Sequence, residues 1–228
     1  MWYDWPQLAS NLVVAAIDLD DTLLRSDGKL SPFTQGVLQA WLDSGRRLVI
    51  ATGRPPRNVG EILPPFLHAE PWICYNGAEI RTNGEIVYQD YIPQGALAPL
   101  LSDILAKHPD AVVGMEFGDM LYLNRPRNDR FNRSHRVVDL ATVAHNASPK
   151  VLFFAEELAG LMDSLHPLPA GTRLIAPGRY YFLQLMSSSA DKVHALQFLM
   201  QQWNLSLENV IAFGDDVNDT EMLRAAAA

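Results

Sequence analysis

An apolar run from Leu12 to Ile17, with two adjacent valines, breaks abruptly into Asp18-Leu19-Asp20-Asp21-Thr22-Leu23-Leu24. The run lacks the alternation of a half-exposed strand and reads as a buried strand of a parallel sheet. Its carboxylates then fall at the carboxyl end of the strand, the edge where open α/β sheets bind ligands. If the strand runs on through Leu19, Asp18 and Asp20 project to the same side, because side chains repeat every two residues. Two carboxylates that close stay ionised together only beside a cation or several strong donors. The stretch therefore points to a hard divalent ion, Mg2+ first. The plainer alternative is a polar turn behind a core strand.

The rest of the chain must supply the sheet. At 228 residues it can form one large domain or two small ones, and 48% hydrophobic against 19% charged residues fits a globular protein with a real core. A net charge of -8 gives no support to a nucleic-acid or anionic-membrane partner. The single cysteine, Cys74, excludes an internal disulfide and lies in an apolar run, so a buried, inert thiol in a reducing compartment is expected. No apolar segment reaches membrane-spanning length. Met1 to Ser10 carries an aspartate and no basic residue, unlike a signal peptide. A cytoplasmic location is expected.

Trp2, Tyr3 and Trp5 precede the first strand without a clear role. Asp27-Gly28 reads as a turn, and Ser31-Pro32 as an N-cap with proline at the first helical position. Val37, Leu38, Trp41 and Leu42 follow at helical spacing, up to a stop at Gly45. Arg47 to Ala51 is a strand ending in Thr52-Gly53-Arg54. A helix after Pro55-Pro56 carries Val59, Ile62 and Leu63. Trp72 to Tyr75 is a third strand, ending in Asn76-Gly77. Strand–helix–strand alternation of this kind argues for right-handed crossovers in a parallel sheet.

From Thr82 to Met186 the pattern changes. Ile86 to Tyr91, Met120 to Leu123 and Val151 to Phe154 read as strands, Gln94 to Lys107 and Glu156 to Leu165 as helices. Arg173 to Ile175 and Tyr180 to Leu185 flank Pro177-Gly178, a hairpin signal. This is an α+β module set into the parallel sheet. Arg125, Arg127, Arg130, Arg133 and Arg136, with His135, read as a solvated loop in preference to an anion-binding surface. Ser187-Ser188-Ser189 then offers caps to a helix with Val193, Leu196, Leu199, Met200 and Trp203 on one face and Lys192 in its first turn. Val210 to Phe213 is a fourth strand, ending in Gly214-Asp215-Asp216-Val217-Asn218-Asp219.

Four strands thus end in chemically pointed segments, and a parallel sheet gathers such ends along one edge. The first and last bring carboxylates together in excess of what is tolerable without a metal. In these motifs, in their order, the chain resembles the haloacid dehalogenase superfamily, and most of all its Cof-type sugar-phosphate phosphatase branch. The resemblance implies a Rossmann-like α/β core from 1–81 and 187–228, with an inserted α+β cap of the C2 type from 82–186. It implies a phosphatase acting on a small phosphorylated metabolite with Mg2+. Asp18 would be the nucleophile that forms an aspartyl-phosphate, and Asp20 the general acid–base. Asp18, the backbone carbonyl of Asp20, and Asp215 would hold the metal. Asp219 would support it, with help from Asn218. Thr52, Gly53 and Lys192 would meet the phosphoryl group, and Asn76 and Gly77 would turn close to the site. A phosphomutase with the same nucleophile and a non-catalytic metabolite-binding relative are the alternatives.

Two departures from the family pattern stand out. Asp21 occupies a position where many relatives have glycine. The family also continues past the Gly-Asp-Asp motif with another strand and helix, whereas this sequence reaches Glu221-Met222-Leu223-Arg224 and four alanines. The expectation is a longer natural protein.

Overall fold

The computed structural model describes residues 11–127, 135–154, 158–176 and 182–228. Its strands are β1 (Val14–Ile17), β2 (Arg47–Ala51), β3 (Trp72–Cys74), β4 (Glu79–Thr82), β5 (Glu85–Gln89), β6 (Val112–Phe117), β7 (Met120–Leu123), β8 (His135–Val137), β9 (Lys150–Phe154), β10 (Thr172–Ile175), β11 (Leu183–Ser187) and β12 (Val210–Phe213). Its helices are α1 (Pro32–Asp43), α2 (Pro56–Ile62), α3 (Leu97–Lys107), α4 (Leu158–Ser164), α5 (Lys192–Gln202) and α6 (Thr220–Ala225). The chain divides into two compact units. One runs up to Gln89 and resumes at Asp191; the other is Asp90–Ala190.

The first unit is built on a sheet of order β12-β1-β2-β3-β4-β5. Strands β12, β1, β2 and β3 are parallel, and Ile17 lies abreast of both Phe213 and Ile50. The segments that follow these strands therefore emerge along one edge. Val14, Ala16, Val49, Ala51 and Ile73 pack on Ala195, Leu196, Leu199 and Met200 of α5. Each large apolar side chain so buried contributes about 1.5–3 kcal/mol. Helix α1 starts as the sequence requires: Pro32 stands first, and the Ser31 hydroxyl accepts from the Thr34 N–H at 3.0 Å. Of its apolar residues only Leu38 is fully buried, however. Val37, one of the apolar residues at helical spacing, is exposed.

Two expectations need correction here. Helix α5 is capped by Asp191, whose carboxylate accepts from the His194 N–H at 2.7 Å, and not by the serine triplet; Ser187 is the last residue of β11. The strand near Ile86 also belongs to the first sheet rather than to the inserted module. Asn83 and Gly84, with φ of 53° and 80°, make a two-residue turn of the kind that matches strand twist. That turn folds β5 back on β4, which in turn pairs with β3. The units accordingly meet at Gln89–Asp90 and Ala190–Asp191, several residues beyond the boundaries read from the sequence.

The second unit has a sheet of order β10-β11-β9-β6-β7-β8, antiparallel except for the β7–β8 pair. Alternation sorts its two faces. Val113, Met115, Val151, Phe153, Leu183 and Leu185 share a core with Leu97, Leu101 and Ile104 of α3 and Leu161 of α4. Leu121, Leu123, Leu152 and Phe154 form a smaller cluster. The sequence reading missed β4, β6 and β8. In the arginine run, Arg125 pairs with Asp110 at 3.2 Å and Arg127 covers the Phe154 ring at 3.7 Å from its centroid, while Arg136 is exposed in β8. Arg130 and Arg133 lie outside the described residues, as do Trp2, Tyr3 and Trp5, the expected start of a helix at Glu156, and the Pro177-Gly178 turn. No helix among the described residues is long and apolar enough to cross a membrane.

Candidate active site

Asp18 follows β1 directly. Its N–H still bonds the Phe213 carbonyl of β12 at 3.0 Å, and its side chain is buried. The strand does not run on through Leu19. The chain loops instead, and the carbonyls of Asp18 and Leu19 accept from the N–H groups of Leu23 and Leu24 at 3.2 and 2.8 Å. Asp20 is extended and Asp21 left-handed at φ 60°, a conformation that glycine adopts freely and aspartate tolerates. The Asp20 carboxylate is consequently gripped by Arg54, Nε to Oδ2 at 2.8 Å and Nη2 to Oδ1 at 2.5 Å. The two aspartates meet different partners, and the strand-alternation argument for their pairing fails.

Asp18 is joined instead to the far end of the sequence. Lys192, the first residue of α5 and 1% exposed, donates to Asp18 Oδ1 at 2.6 Å and to Asp219 Oδ1 at 2.5 Å. Asp219 is fully buried, and its Oδ2 accepts from the N–H groups of Asp215 and Asp216, each at 3.2 Å. Gly214 makes this fold-back possible, since a Cβ there would stand 2.5 Å from Asp219 Cβ. Thr22 donates to Asp215 Oδ1 at 3.1 Å. One carboxylate oxygen from each of Asp18, Asp215 and Asp219 lies within 4.8 Å of the others.

Two buried carboxylates against one buried ammonium, with the exposed Asp215 beside them, leave this cluster short of positive charge, a costly state for the buried pair. The cost shows at Asp18. Burial pushes its carboxyl up to about 6, with Asp219 and Asp20 adding to the rise and Lys192 opposing it. A cation held by hard oxygen donors would relieve the imbalance. The donor set fits one: all three groups offer carboxylate oxygens, converging from the ends of adjacent strands.

The ends of β2 and β3 close the other side. Thr52 is buried; its N–H donates to the Ile73 carbonyl at 2.8 Å, its carbonyl accepts from Asn76 N–H at 3.0 Å, and its Oγ1 accepts from Arg54 N–H at 3.1 Å. Asn218 Nδ2 donates to Asn76 Oδ1 at 2.9 Å, and Gly53 leaves room for that amide, since a Cβ there would lie 2.7 Å from Asn76 Oδ1. Asn218 thus ties the segment after β12 to the segment after β3. Tyr75, Asn76 and Gly77 run left-handed, at φ of 50°, 54° and 101°. Gly77 backs onto the cap of α5: a Cβ there would stand 2.0 Å from the Asp191 carbonyl oxygen. Gly77→Ala is expected to lower stability by about 2–4 kcal/mol, from strain and overlap together, and to displace Lys192 with its helix. Chemical denaturation of the variant measures this; a loss under about 0.5 kcal/mol, the size of an ordinary surface change, would contradict it.

The structure therefore brings Asp18, Lys192, Asp215 and Asp219 into one cluster, sets Thr52, Gly53, Asn76, Gly77 and Asn218 in the adjoining ties, and turns Asp20 toward Arg54. Thr22, Arg54 and Gly214 carry contacts that the sequence reading did not assign. All three lay inside the quoted motifs, but motif type alone does not say which group each will meet.

Asp18 and Asp219, buried around Lys192, and the exposed Asp215 thus stand at the carboxyl edge of the parallel strands of an α/β unit. Residues 15–228 match the model of the haloacid dehalogenase-like hydrolase family, and the chain belongs to that family. It is 26% identical to the 5-amino-6-(5-phospho-D-ribitylamino)uracil phosphatase of Bacillus subtilis, over 92% of this chain and 83% of that protein. It is 27% identical to the HMP-PP phosphatase of Cronobacter sakazakii, over 93% of this chain and 81% of that protein. A haloacid dehalogenase-like hydrolase from Bacteroides thetaiotaomicron superposes with a TM-score of 0.82 at 23% identity, over 94% of this chain and 86% of that one, and shares the fold.

Proposed function

We propose that this chain is a Mg2+-dependent phosphatase that hydrolyses a phosphoric monoester of a small metabolite through an aspartyl-phosphate on Asp18. The observation that carries the reading is the buried meeting of Asp18 with Lys192 and Asp219 at the sheet edge, with the exposed Asp215 beside them. A carboxylate in that position can attack phosphorus, and Lys192 can steady both the nucleophile and a phosphoryl oxygen. Thr52 Oγ1 and the Gly53 N–H supply further donors for the transferred group. Asp20 gives a proton to the leaving oxygen and later takes one from the attacking water. Asp18, Asp215, Asp219 and the Asp20 carbonyl would hold the metal, which when bound offsets the charge on the phosphoryl oxygens. Asn76, Gly77 and Asn218 set the backbone that frames the site.

The Asp90–Ala190 unit is, in this reading, the inserted α+β cap domain. The named substrates of the two phosphatase relatives are small phosphorylated compounds, which supports that substrate class here. Cys74, a buried thiol, suits the reducing cytoplasm as the place of action.

A panel of phosphorylated metabolites together with 4-nitrophenyl phosphate tests the proposal. Phosphate release is expected to need Mg2+, to stop when the metal is chelated, and to return on adding Mg2+ without any acceptor. Saturating Mg2+ is also expected to raise stability by about 3 kcal/mol at a hundred times its Kd. Release indifferent to chelation would remove the metal role, and transfer that requires an acceptor sugar would mark a mutase instead.

A further inference from the structure

The grip of Arg54 on Asp20 is more specific than charge balance requires. The guanidinium holds both carboxylate oxygens at once, Nε on Oδ2 at 2.8 Å and Nη2 on Oδ1 at 2.5 Å. A forked contact of this kind fixes the plane and rotation of a carboxylate, which a single ammonium cannot do. Arg54 is itself anchored by its main chain. Its N–H donates to Thr52 Oγ1 at 3.1 Å, and its carbonyl accepts from the Tyr75 N–H at 3.0 Å. The guanidinium therefore projects from a junction between the ends of β2 and β3. Asp20, by contrast, stands on a loop that turns left-handed at the next residue, and its side chain is 42% exposed. The Arg54 guanidinium reaches this loop and bonds the Asp20 carboxylate at both oxygens.

We infer that Arg54 is a positioning residue for Asp20, setting its carboxyl group for proton transfer to the leaving group. The inference rests on the phosphatase reading above. In the first step an Asp18 oxygen forms a bond to phosphorus while the bond to the leaving oxygen breaks, and the Asp20 proton passes to that oxygen. In the second, a water oxygen bonds to phosphorus as the Asp18–phosphorus bond breaks, and the water proton returns to Asp20. Both steps need the Asp20 carboxyl aimed at an oxygen on the far side of phosphorus from Asp18. Arg54 supplies that aim.

Leaving-group dependence separates this role from others. Nitrophenolate departs without a proton, whereas an alkoxide does not. Steady-state kcat/KM is read for a sugar phosphate from the panel and for 4-nitrophenyl phosphate, in the intact protein and in Asp20→Asn, Arg54→Met, Arg54→Lys and the Asp20→Asn/Arg54→Met double variant. Asp20→Asn is expected to lose about 10²–10⁴-fold on the sugar phosphate, with a much smaller loss on the aryl ester. Arg54→Met is expected to follow the same pattern, at about 10²-fold on the sugar phosphate. Arg54→Lys keeps the charge but not the fork, and is expected to recover less than half of that loss on a logarithmic scale. The double variant is expected to be no slower than Asp20→Asn alone.

Equal losses on both substrates in Arg54→Met, or losses that multiply in the double variant, would assign Arg54 to phosphate binding or to folding and overturn the inference. Thermal unfolding of Arg54→Met separates those two cases. If Asp20→Asn itself shows no leaving-group preference, the acid–base role of Asp20 falls first, visible in that variant alone, and the inference falls with it.

Discussion

Asp18→Asn is expected to lower phosphate release by on the order of 10⁵-fold or more, the scale seen when a covalent nucleophile is removed. The amide is nearly isosteric, so the loss is chemical and not steric. The stability effect runs the other way. In the metal-free fold, burial raises the Asp18 carboxyl from 3.8 to about 6, so at neutral pH its ionisation costs on the order of 3 kcal/mol. A raised carboxyl pKa means that the folded chain binds this proton more tightly than the unfolded one. Asp18 therefore contributes stability that is fully present at pH below about 4 and is lost as pH rises through about 6, above which the folded chain carries the buried charge at that cost. An asparagine has no proton to lose. Melting curves in chelator are expected to show Asp18→Asn at least as stable as the parent at pH 7, with the difference narrowing at pH 4. Normal turnover in the variant would remove the nucleophile, and a collapse of its Tm at pH 7 would show that Asp18 is held chiefly for folding.

How far the sequence could be read depended on the kind of signal. The parallel half of the first sheet was legible because β1, β2, β3 and β12 are apolar runs, the first three almost wholly buried, each ended by Asp, Thr-Gly or Asn-Gly motifs. The convergence of Asp18 with Asp215 and Asp219 was expected from the gathering of parallel strand ends along one edge, and β1 does lie beside β12. What failed was local. The alternation rule placed Asp18 and Asp20 together, but the strand ends at Ile17 and the loop sends Asp20 to Arg54. The β4–β5 hairpin carried its signal openly in Asn83-Gly84, yet Glu79–Thr82 is polar enough to pass for a loop, so the turn had no recognised strand before it. Strand β6 was hidden by Gly114 and Glu116 on the side away from α3 and α4. The Asp191 cap was missed because three serines stood just before it and matched the same rule. Arg54 illustrates the general limit: its type was visible, but its partner depended on a backbone turn that only three-dimensional packing decides.

Lys192→Met tests the electrostatic heart of the site. The Lys192 ammonium lies between Asp18 Oδ1 and Asp219 Oδ1, at 2.6 and 2.5 Å, and all three groups are buried. Methionine has nearly the same length and fills the same space, so no cavity complicates the comparison. It leaves two buried carboxylates facing one another without the charge that joins them. Removing one partner of a buried ion pair costs about 3–5 kcal/mol, far above the value of an exposed pair. In a chain of this size that corresponds to roughly 10 °C in Tm, measured in chelator at pH 7. The loss has two remedies that a packing defect would not share. Mg2+ restores positive charge among the same carboxylates, and acid neutralises Asp18. Both are expected to recover a large part of the stability, as is the second substitution in Asp18→Asn/Lys192→Met. Turnover is expected to stay at least 10²-fold down even with Mg2+ present, because the ammonium also serves the phosphoryl oxygens, as a lost oxyanion donor does. A Tm within 1 °C of the parent in chelator at pH 7 would mean that the carboxylates reach solvent or share a proton without help, and the cluster would no longer explain why a cation belongs there.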